Sequence, residues 1–468
     1  MATVRVFNHH LHSPFYWLVI ADAVLFVLAF YAGTYLYFLW EPGSFNSHLG
    51  QIPVRATLFA AVTVLCLAAM GLYEPRMREG TSGILLRTIG GFVAAAMVMA
   101  AIFYLLPELH LWRGIYFYTA ATAFTANLIS RSAFTNLTHR EQFKSRVLVY
   151  GAGRAASTIT SAMRRKVDRQ GFTIVGFVRV GGEESKIEGE RVINLRQSLA
   201  DYTRQTEIDQ VVIALDDKTH SLPMEELFNC RLNGVDVYDL VTFFEREAGK
   251  ILVDFASPGW MAFTDGFTTS RASKVAKRCF DVAASFILLM FSWPIMLLAA
   301  LAIWLEDGFA APVFFSQNRV GLNGKIFQVL KFRSMSIDAE GDGKARWATK
   351  NDSRVTRVGN FIRRTRIDEL PQILNVLAGD MAFIGPRPER PEFVKELAES
   401  IPYFNARHCV KPGITGWAQL CYPYGASEND ARQKLQFDLY YVKNHSLFLD
   451  FMICLTTVEV VLFGKGAR

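Results

Sequence analysis

Four long apolar runs open the chain, at about residues 15–40, 52–73, 84–106 and 115–130. Each is near the roughly 20 residues a helix needs to cross hydrocarbon. Backbone in hydrocarbon must bond to itself, so this part of the chain is restricted to helices packed on helices. The first run is too long for a cleavable signal and lacks a small-residue cleavage site. Arg5 precedes it, Arg76 and Arg78 lie between the second and third runs with Arg87 at the start of the third, and Arg131, Arg140, Lys144 and Arg146 follow the fourth. The other two connections hold one arginine each, Arg55 and Arg113. Cations gather on the cytoplasmic side, which places both the N-terminus and residue 146 there. Composition agrees, since 51% hydrophobic residues with 37 Phe exceeds what an ordinary soluble domain carries. The net charge of +7 suits anionic headgroups or phosphorylated ligands. Asp22 and Asn127 fall inside spans and are expected to face other helices. The six cysteines form no Cys-x-x-Cys pair and are expected as reduced thiols. His9, His10 and His12 are expected on a loose flank rather than around a metal.

The stretch "SRVLVYGAGRAASTITSAM", residues 145–163, joins a β-rich run to a helical one through Gly151-Ala-Gly153. Further strands follow at "FTIVGFVRV" and "DQVVIAL". This βαβ pattern predicts a parallel sheet with Rossmann-like topology. Gly151 and Gly153 are weak candidates for nucleotide binding, because backbone N–H groups at a helix start can meet a phosphate. The third fingerprint position is Ala156, and no acidic residue closes the second strand. A structural or regulatory role fits these departures better than a bound dinucleotide.

A fifth apolar run, "CFDVAASFILLMFSWPIMLLAALAIWL", covers residues 279–305 with Pro294 in its middle. A mid-helix proline removes a hydrogen bond and kinks the helix. A fifth crossing would put everything after it outside the cytoplasm. A helix that enters and leaves on one side avoids this, with Ser292 and Pro294 at the break and Ser292 or the Trp293 indole as donor to the freed carbonyl. Beyond it, "PVFFSQNRVGLNGKIFQVLKFRSM" reads as two strands around a Gly-Leu-Asn-Gly turn. The closing "SLFLDFMICLTTVEVVLF" suits an interfacial helix.

The densest chemistry lies in "FIRRTRIDELPQILNVLAGDMAFIGPRPE", residues 361–389. Pro371 near the start of a helical run places Asp368 at or near the N-cap, with Glu369 next to it. The helix dipole and Arg363, Arg364 and Arg366 are expected to keep both carboxylates ionised. Ionised carboxylates bind Mg²⁺ or attack phosphorus. Lys331, Arg333 and Arg387 stand in flanking motifs, and arginine forks match phosphate oxygens. Two carboxylates among cations suit phosphoryl transfer, in which positioning and charge neutralisation dominate.

The ordered motifs "KRCFDV…SWP", "SQNRVGLNGKIFQVLKFRSM", "IRRTRIDELPQILNVLAGDMAFIGPRP", "KPGITGWAQ" and "DLYYVKNHSLFLD" resemble the bacterial sugar transferases. These are monotopic polyprenol-phosphate phosphoglycosyl transferases, and the resemblance covers about residues 274–466. The segments ahead of it are similar to those of large members that start exopolysaccharide or O-antigen synthesis. The resemblance implies that Asp368 attacks the β-phosphate of a UDP-sugar, releases UMP and passes the sugar phosphate to undecaprenyl phosphate. It further implies Mg²⁺ held by Asp368 and Glu369. Lys331, Arg333, Arg363, Arg366 and Arg387 would serve as phosphate-site cations, and the enzyme would sit in the bacterial inner membrane. Inner-membrane lipid is an expected partner, nucleic acid is not, and a homodimer stays open. Small members carry Ser-Pro at the helix break, whereas here Trp293 separates Ser292 from Pro294. Many members follow "GWAQ" with an Asn-Gly-Arg-Asn stretch where this chain has "LCYPYGASEND", so sugar identity does not carry over. A membrane-anchored nucleotide-sugar dehydratase or epimerase would need a Tyr-x-x-x-Lys pair, and the sequence has none. A non-enzymatic assembly scaffold is disfavoured by the intact acidic pair.

The expected architecture is therefore a membrane α-helical bundle at 1–140, an α/β Rossmann-like cytoplasmic domain at 145–265, and an α/β phosphoglycosyl transferase domain at 274–468. The last contains the re-entrant membrane helix 279–305.

Overall fold

The computed structural model describes residues 3–6, 9–40, 52–73, 81–138, 144–163, 169, 171–180, 185–187, 189–216, 222–267, 270–308, 311–336, 354–422, 425 and 427–463. The chain forms two compact units that meet in sequence at Ala248 and Gly249. Paired short strands β1 (Thr3–Val6) and β2 (His9–His12) open the chain. His9, His10 and His12 thus lie on a paired strand rather than a loose flank, because pairing satisfies the backbone there.

Helices α1 (Ser13–Trp40), α2 (Ile52–Ala69), α3 (Thr81–Leu105) and α4 (Arg113–Thr138) follow. Phe26, Phe30, Phe59, Leu67 and Ala123 fill the core between them. At Gly33 an added Cβ would lie 2.5 Å from Thr119 Cα, so glycine lets α1 and α4 approach closely. By length and composition α1, α2 and α3 could each cross a membrane. The fourth run forms a long helix that falls short on composition because it carries polar residues, of which Thr119, Asn127 and Arg131 are buried. Asp22 on α1 is fully buried. Its Oδ2 accepts from Tyr73 Oη at 2.9 Å, Asn127 Nδ2 at 3.2 Å and Arg131 Nη2 at 3.2 Å. Ser130 Oγ reaches its Oδ1 at 3.3 Å, and Arg131 also donates to the Leu72 carbonyl. Asp22 and Asn127 therefore join helices, as expected. Arg87 and Arg131, counted above as loop cations, are instead buried, since each finds an acceptor inside. Arg87 donates to Met70 O at 2.7 Å. Arg76, Arg78 and Arg140 lie outside the described residues. Asp22→Ala would strand the Arg131 charge in the bundle, a loss of about 3–5 kcal/mol. Thermal unfolding in detergent should show an earlier transition, and an unchanged midpoint would contradict the network's role.

The sheet of the first unit contains β3 (Ser145–Tyr150), β4 (Phe172–Val178), β5 (Val192–Ile193), β6 (Gln210–Ile213) and β7 (Asp236–Asp239). Its order is β5-β4-β3-β6-β7, with every neighbour pair parallel. The order reverses between β3 and β6, as in doubly wound α/β sheets. Helix α5 (Arg154–Ala162) leaves the glycine turn after β3, α6 (Leu199–Gln205) and α7 (Met224–Leu232) flank β6 in sequence, and α8 (Leu240–Ala248) ends the unit.

The second unit contains α9 (Pro258–Phe263), α10 (Arg271–Asp307) and a hairpin of β8 (Phe314–Val320) and β9 (Ile326–Phe332). Hairpin register runs from Phe314↔Phe332 to Val320↔Ile326 around the expected turn. There Asn323 and Gly324 adopt φ 54° and 77°, the left-handed values a tight reversal needs. Next come α11 (Arg357–Arg364), α12 (Gln372–Ala378), β10 (Ala382–Ile384), α13 (Pro391–Ser400), β11 (Gly413–Thr415), α14 (Trp417–Cys421), α15 (Glu428–Asn444) and α16 (Leu447–Phe463). Residues 435–444 of α15 are buried on every side, which makes it the central helix of the unit.

Helix α10 extends beyond the expected apolar run at both ends and includes Pro294. Its first turns are tied to the unit: Arg278 donates to the Val376 and Leu377 carbonyls at 2.6 and 2.8 Å. So are its last, where Glu306 accepts from Arg357 N at 2.8 Å and Val358 N at 3.0 Å, capping α11. Between them Phe286, Phe291, Trp293 and Leu298 are exposed, Phe291 at 69%. Ser292 is buried, and its hydroxyl points to Met296 Sδ at 3.8 Å rather than to a backbone carbonyl.

Candidate active site

Four elements of the second unit converge on the acidic pair. Arg366 precedes it in the left-handed region at φ 61°, a conformation that costs a non-glycine residue energy and often marks functional turns. Asp368 and Glu369 lie on a single 3-10 turn, Ile367–Glu369. Helix α12 starts only after it, with Pro371 as N-cap. The expected N-cap placement of Asp368 is thus corrected. Leu370 and Pro371 separate the pair from α12, so that helix's dipole does not act on the carboxylates directly.

The two carboxylates differ sharply. Glu369 Oε1 meets Arg387 Nη2 at 2.6 Å and Lys331 Nζ at 3.3 Å, and its Oε2 meets Arg366 Nη1 at 3.5 Å. Burial pushes the Glu369 carboxyl up, but Arg387 and Lys331, then Arg366, outweigh it and hold the group well below the usual range. Asp368 is 9% exposed and, among the described residues, has no hydrogen-bond or ion-pair partner for its side chain. Burial, then the neighbouring Glu369 charge, raise its pKa, and Lys331, Arg387 and Arg363 only partly offset them. At Glu369 the cations dominate and favour the anion, whereas at Asp368 lost hydration outweighs them and moves the pKa the other way. Burial also lowers the Lys331 pKa, while Glu369 opposes the shift.

Residues not singled out from the sequence build this geometry. Asn375, buried in α12, accepts from Leu330 N at 2.9 Å and donates to Gln328 O at 2.8 Å. Its amide thus mimics a strand edge and fastens α12 to β9, which carries Lys331. Arg278 caps the other end of α12. Parallel pairing of β10 with β11 sets the Gly385-Pro-Arg-Pro turn beside residues 413–415. Four consecutive carbonyls beyond Gly385 are bonded: Pro386 O by Gly413 N, Arg387 O by Arg407 Nη2, Pro388 O by Arg319 Nη1 and Glu389 O by Val320 N. Just before the turn, Ile384 O accepts from Lys277 Nζ and Tyr441 Oη, both at 3.0 Å. Lys277 also pairs with Asp281 and Asp450 at 3.0 Å each, and the single Tyr441 hydroxyl proton is shared between Ile384 O and Asp450 Oδ1, the latter at 2.7 Å. Asp450, which interrupts the apolar run of α16, therefore points inward. Arg407 pairs with buried Asp438 at 2.8 Å. Burial still pushes the Asp438 carboxyl up to about 6. The backbone carrying Arg387 is thus pinned from three directions, and Arg387 pins Glu369. A buried polar residue inside an apolar motif, such as Asn375 in "LPQILNVL", was the available signal.

Of the remaining candidates, Arg363 lies in the last turn of α11, where its charge acts on Asp368. Arg333 is turned away from Glu369 and pairs with Asp307 at the end of α10, at 2.8 Å. Gly151 and Gly153 belong to the first unit, and Ser292 and Pro294 to the middle of α10, Ser292 buried and Pro294 exposed.

The arrangement couples a buried carboxylate whose charge the neighbouring cations only partly offset to one that gathers three cations, which suits attack on a centre bearing several anionic oxygens. Its pH signature has a definite sign. If Asp368 must be ionised, kcat/KM falls as pH drops through its raised pKa. Arg387→Met removes a cation that favours the anion, so the acid limb should move to higher pH. Glu369→Gln removes a repelling charge, so the limb should move lower. Limbs that stay fixed in both variants would show that Asp368 is not the titrating group.

Residues 272–464 match a family model described as bacterial sugar transferase, and residues 68–221 match one described as CoA-binding domain. The chain is 41% identical over 261 residues to a UDP-N-acetylgalactosamine-undecaprenyl-phosphate N-acetylgalactosaminephosphotransferase of Aeromonas hydrophila, covering 56% of this chain and 60% of that protein. It is 32% identical over 358 residues to an undecaprenyl-phosphate glucose phosphotransferase of Komagataeibacter xylinus, covering 75% of this chain and 65% of that protein. It is 30% identical over 444 residues to a UDP-glucose:undecaprenyl-phosphate glucose-1-phosphate transferase of Xanthomonas campestris pv. campestris, covering 90% of both. The matched region thus spans under two thirds of the first two proteins and nearly all of the third.

Proposed function

The chain belongs to the bacterial sugar transferase family, and from that premise we propose that it transfers a sugar-1-phosphate from a UDP-sugar to undecaprenyl phosphate. The observation that carries the reading is the division of labour at residues 368–369. Glu369 gathers Lys331, Arg366 and Arg387, while the Asp368 side chain beside it has no hydrogen-bond or ion-pair partner among the described residues. An Asp368 oxygen attacks the β-phosphorus of the donor. The bond to the oxygen bridging the two phosphorus atoms breaks, and UMP leaves with that oxygen. The sugar phosphate is then held as an acyl phosphate. An oxygen of undecaprenyl phosphate attacks the same phosphorus, restores the carboxylate and gives the polyprenyl-diphospho-sugar. Lys331, Arg363 and Arg387 offset charge on the phosphate oxygens, while Arg333 is engaged with Asp307 at the end of α10. Such a product starts the repeat units of an exopolysaccharide or O-antigen.

Among the described residues no three His, Cys, Asp or Glu side chains converge as a metal cage. A buried carboxylate with no ion-pair partner among the described residues, beside a second carboxylate, is a hard oxygen donor pair that would suit Mg²⁺. Asp368 and Glu369 would hold it, and it would supply neutralisation of phosphate charge. Residues 274–468 carry the chemistry, while residues 1–140 anchor the chain in the inner membrane. Helix α10 re-enters on the cytoplasmic side. This last reading is supported by the attachment of both its ends to one unit while its apolar middle is exposed.

The test is a panel of UDP-sugars with undecaprenyl phosphate and Mg²⁺, following UMP. One UDP-sugar should yield UMP and a polyprenyl-linked sugar in equal amounts, and excess EDTA should stop both. Release of UDP instead of UMP would contradict attack at the β-phosphorus.

A further inference from the structure

The glycine turn 151–153 has no part in the reaction proposed above, yet its surroundings explain both glycines. It follows β3, and Asp216 follows β6 by three residues, so both lie where the strand order of the sheet reverses. Open α/β sheets bind ligands in that crevice, where a phosphate would rest on the first N–H groups of α5. That position is filled from within. Asp216 Oδ2 accepts from Arg154 N at 2.7 Å, and its Oδ1 accepts from Ala155 N at 2.6 Å. Gly153 supplies the room, since a Cβ there would stand 2.3 Å from Asp216 Oδ2. Gly151 adopts φ 127°, and a Cβ would lie 2.2 Å from Ala214 O, so only glycine brings the two strand ends this close. A second segment also closes on the turn, with Lys186 N donating to Ala152 O at 2.9 Å. Arg179 follows β4, where dinucleotide binders place an acid for the ribose.

We propose that Asp216 is the resident anion of this glycine turn, in the place a nucleotide phosphate would take. The sheet domain therefore holds no coenzyme A or dinucleotide pyrophosphate there. An incoming phosphate would have to displace two short charge-assisted bonds and approach a like charge. On this reading the fingerprint survives because the fold needs space for its own carboxylate. The inference is independent of the transferase reading.

The test uses the full chain in detergent. Titration calorimetry with coenzyme A, NAD⁺ and inorganic pyrophosphate would be combined with hydrogen exchange over residues 150–158. The wild type should show no exchange change over residues 150–158 with any of the three up to about 1 mM, whatever heat their binding at the transferase site gives. Asp216→Ser should speed exchange at Arg154 and Ala155 by roughly tenfold or more and create pyrophosphate binding. Gly153→Ala should also speed exchange, by pushing the carboxylate away. It serves as the deciding variant if Asp216→Ser does not fold. The proposal fails if the wild type binds coenzyme A or NAD⁺ tightly enough to protect these amides, or if exchange is unchanged in the variants. Faster exchange in Asp216→Ser without pyrophosphate binding would also overturn it, because the carboxylate would then not be what excludes phosphate.

Discussion

Replacing Asp368 by Asn should lower turnover by roughly three orders of magnitude or more, about 4 kcal/mol on the barrier, while the protein stays folded. The amide keeps the shape of the side chain but removes the attacking anion. The fold has little reason to suffer, because the Asp368 side chain makes no ion pair among the described residues. Burial makes its charge costly, so the neutral replacement should leave the unfolding midpoint unchanged or raise it. Lower activity with an equal or higher midpoint separates a reacting group from a structural one. A drop of tenfold or less in turnover would exclude Asp368 as nucleophile.

Lys277→Met should have the largest effect on stability. It leaves buried Asp281 and Asp450 without their shared cation and removes one donor from Ile384 O. Breaking a buried pair by deleting one partner costs about 3–5 kcal/mol. The same change loosens the backbone three residues before Arg387, so remaining folded protein should lose activity as well. Adding Asp450→Asn should recover part of the stability, since it removes one of the stranded charges. A single variant within about 1 kcal/mol of wild type and fully active would show that the cluster does not hold the turn.

The parts of this fold that were legible in sequence are those encoded over short distances. The β8–β9 hairpin follows from its Gly-Leu-Asn-Gly turn, and the long helices follow from apolar runs. Asp368, Glu369 and Arg366 lie within four residues of one another, so their proximity needed no tertiary knowledge. What stayed hidden was long-range pairing. Parallel β10–β11 contact joins residues about 30 apart in sequence, and Lys277 reaches Asp450 across most of the unit. Arg333 illustrates the limit: it sits two residues from Lys331, just past the end of β9, yet the end of α10 supplies Asp307 and draws it away from Glu369. Arg87 and Arg131 misled for a related reason. A cation near the end of an apolar run reads as a headgroup anchor unless its buried acceptor is known. Asp216 is a third case, because a carboxylate after one strand gives no sign that it caps the helix following another.

The measurement that bears most directly on the central claim is covalent capture of the donor. Wild-type protein incubated with Mg²⁺ and a UDP-sugar labelled in the β-phosphate, without acceptor, should retain the label on protein, one label per UMP released. The label should be lost to hydroxylamine, as an acyl phosphate is, and chase into lipid when undecaprenyl phosphate is added. Asp368→Asn should retain none. UMP release with no protein-bound label, or labelling of the Asn variant at the wild-type level, would contradict the assignment of Asp368.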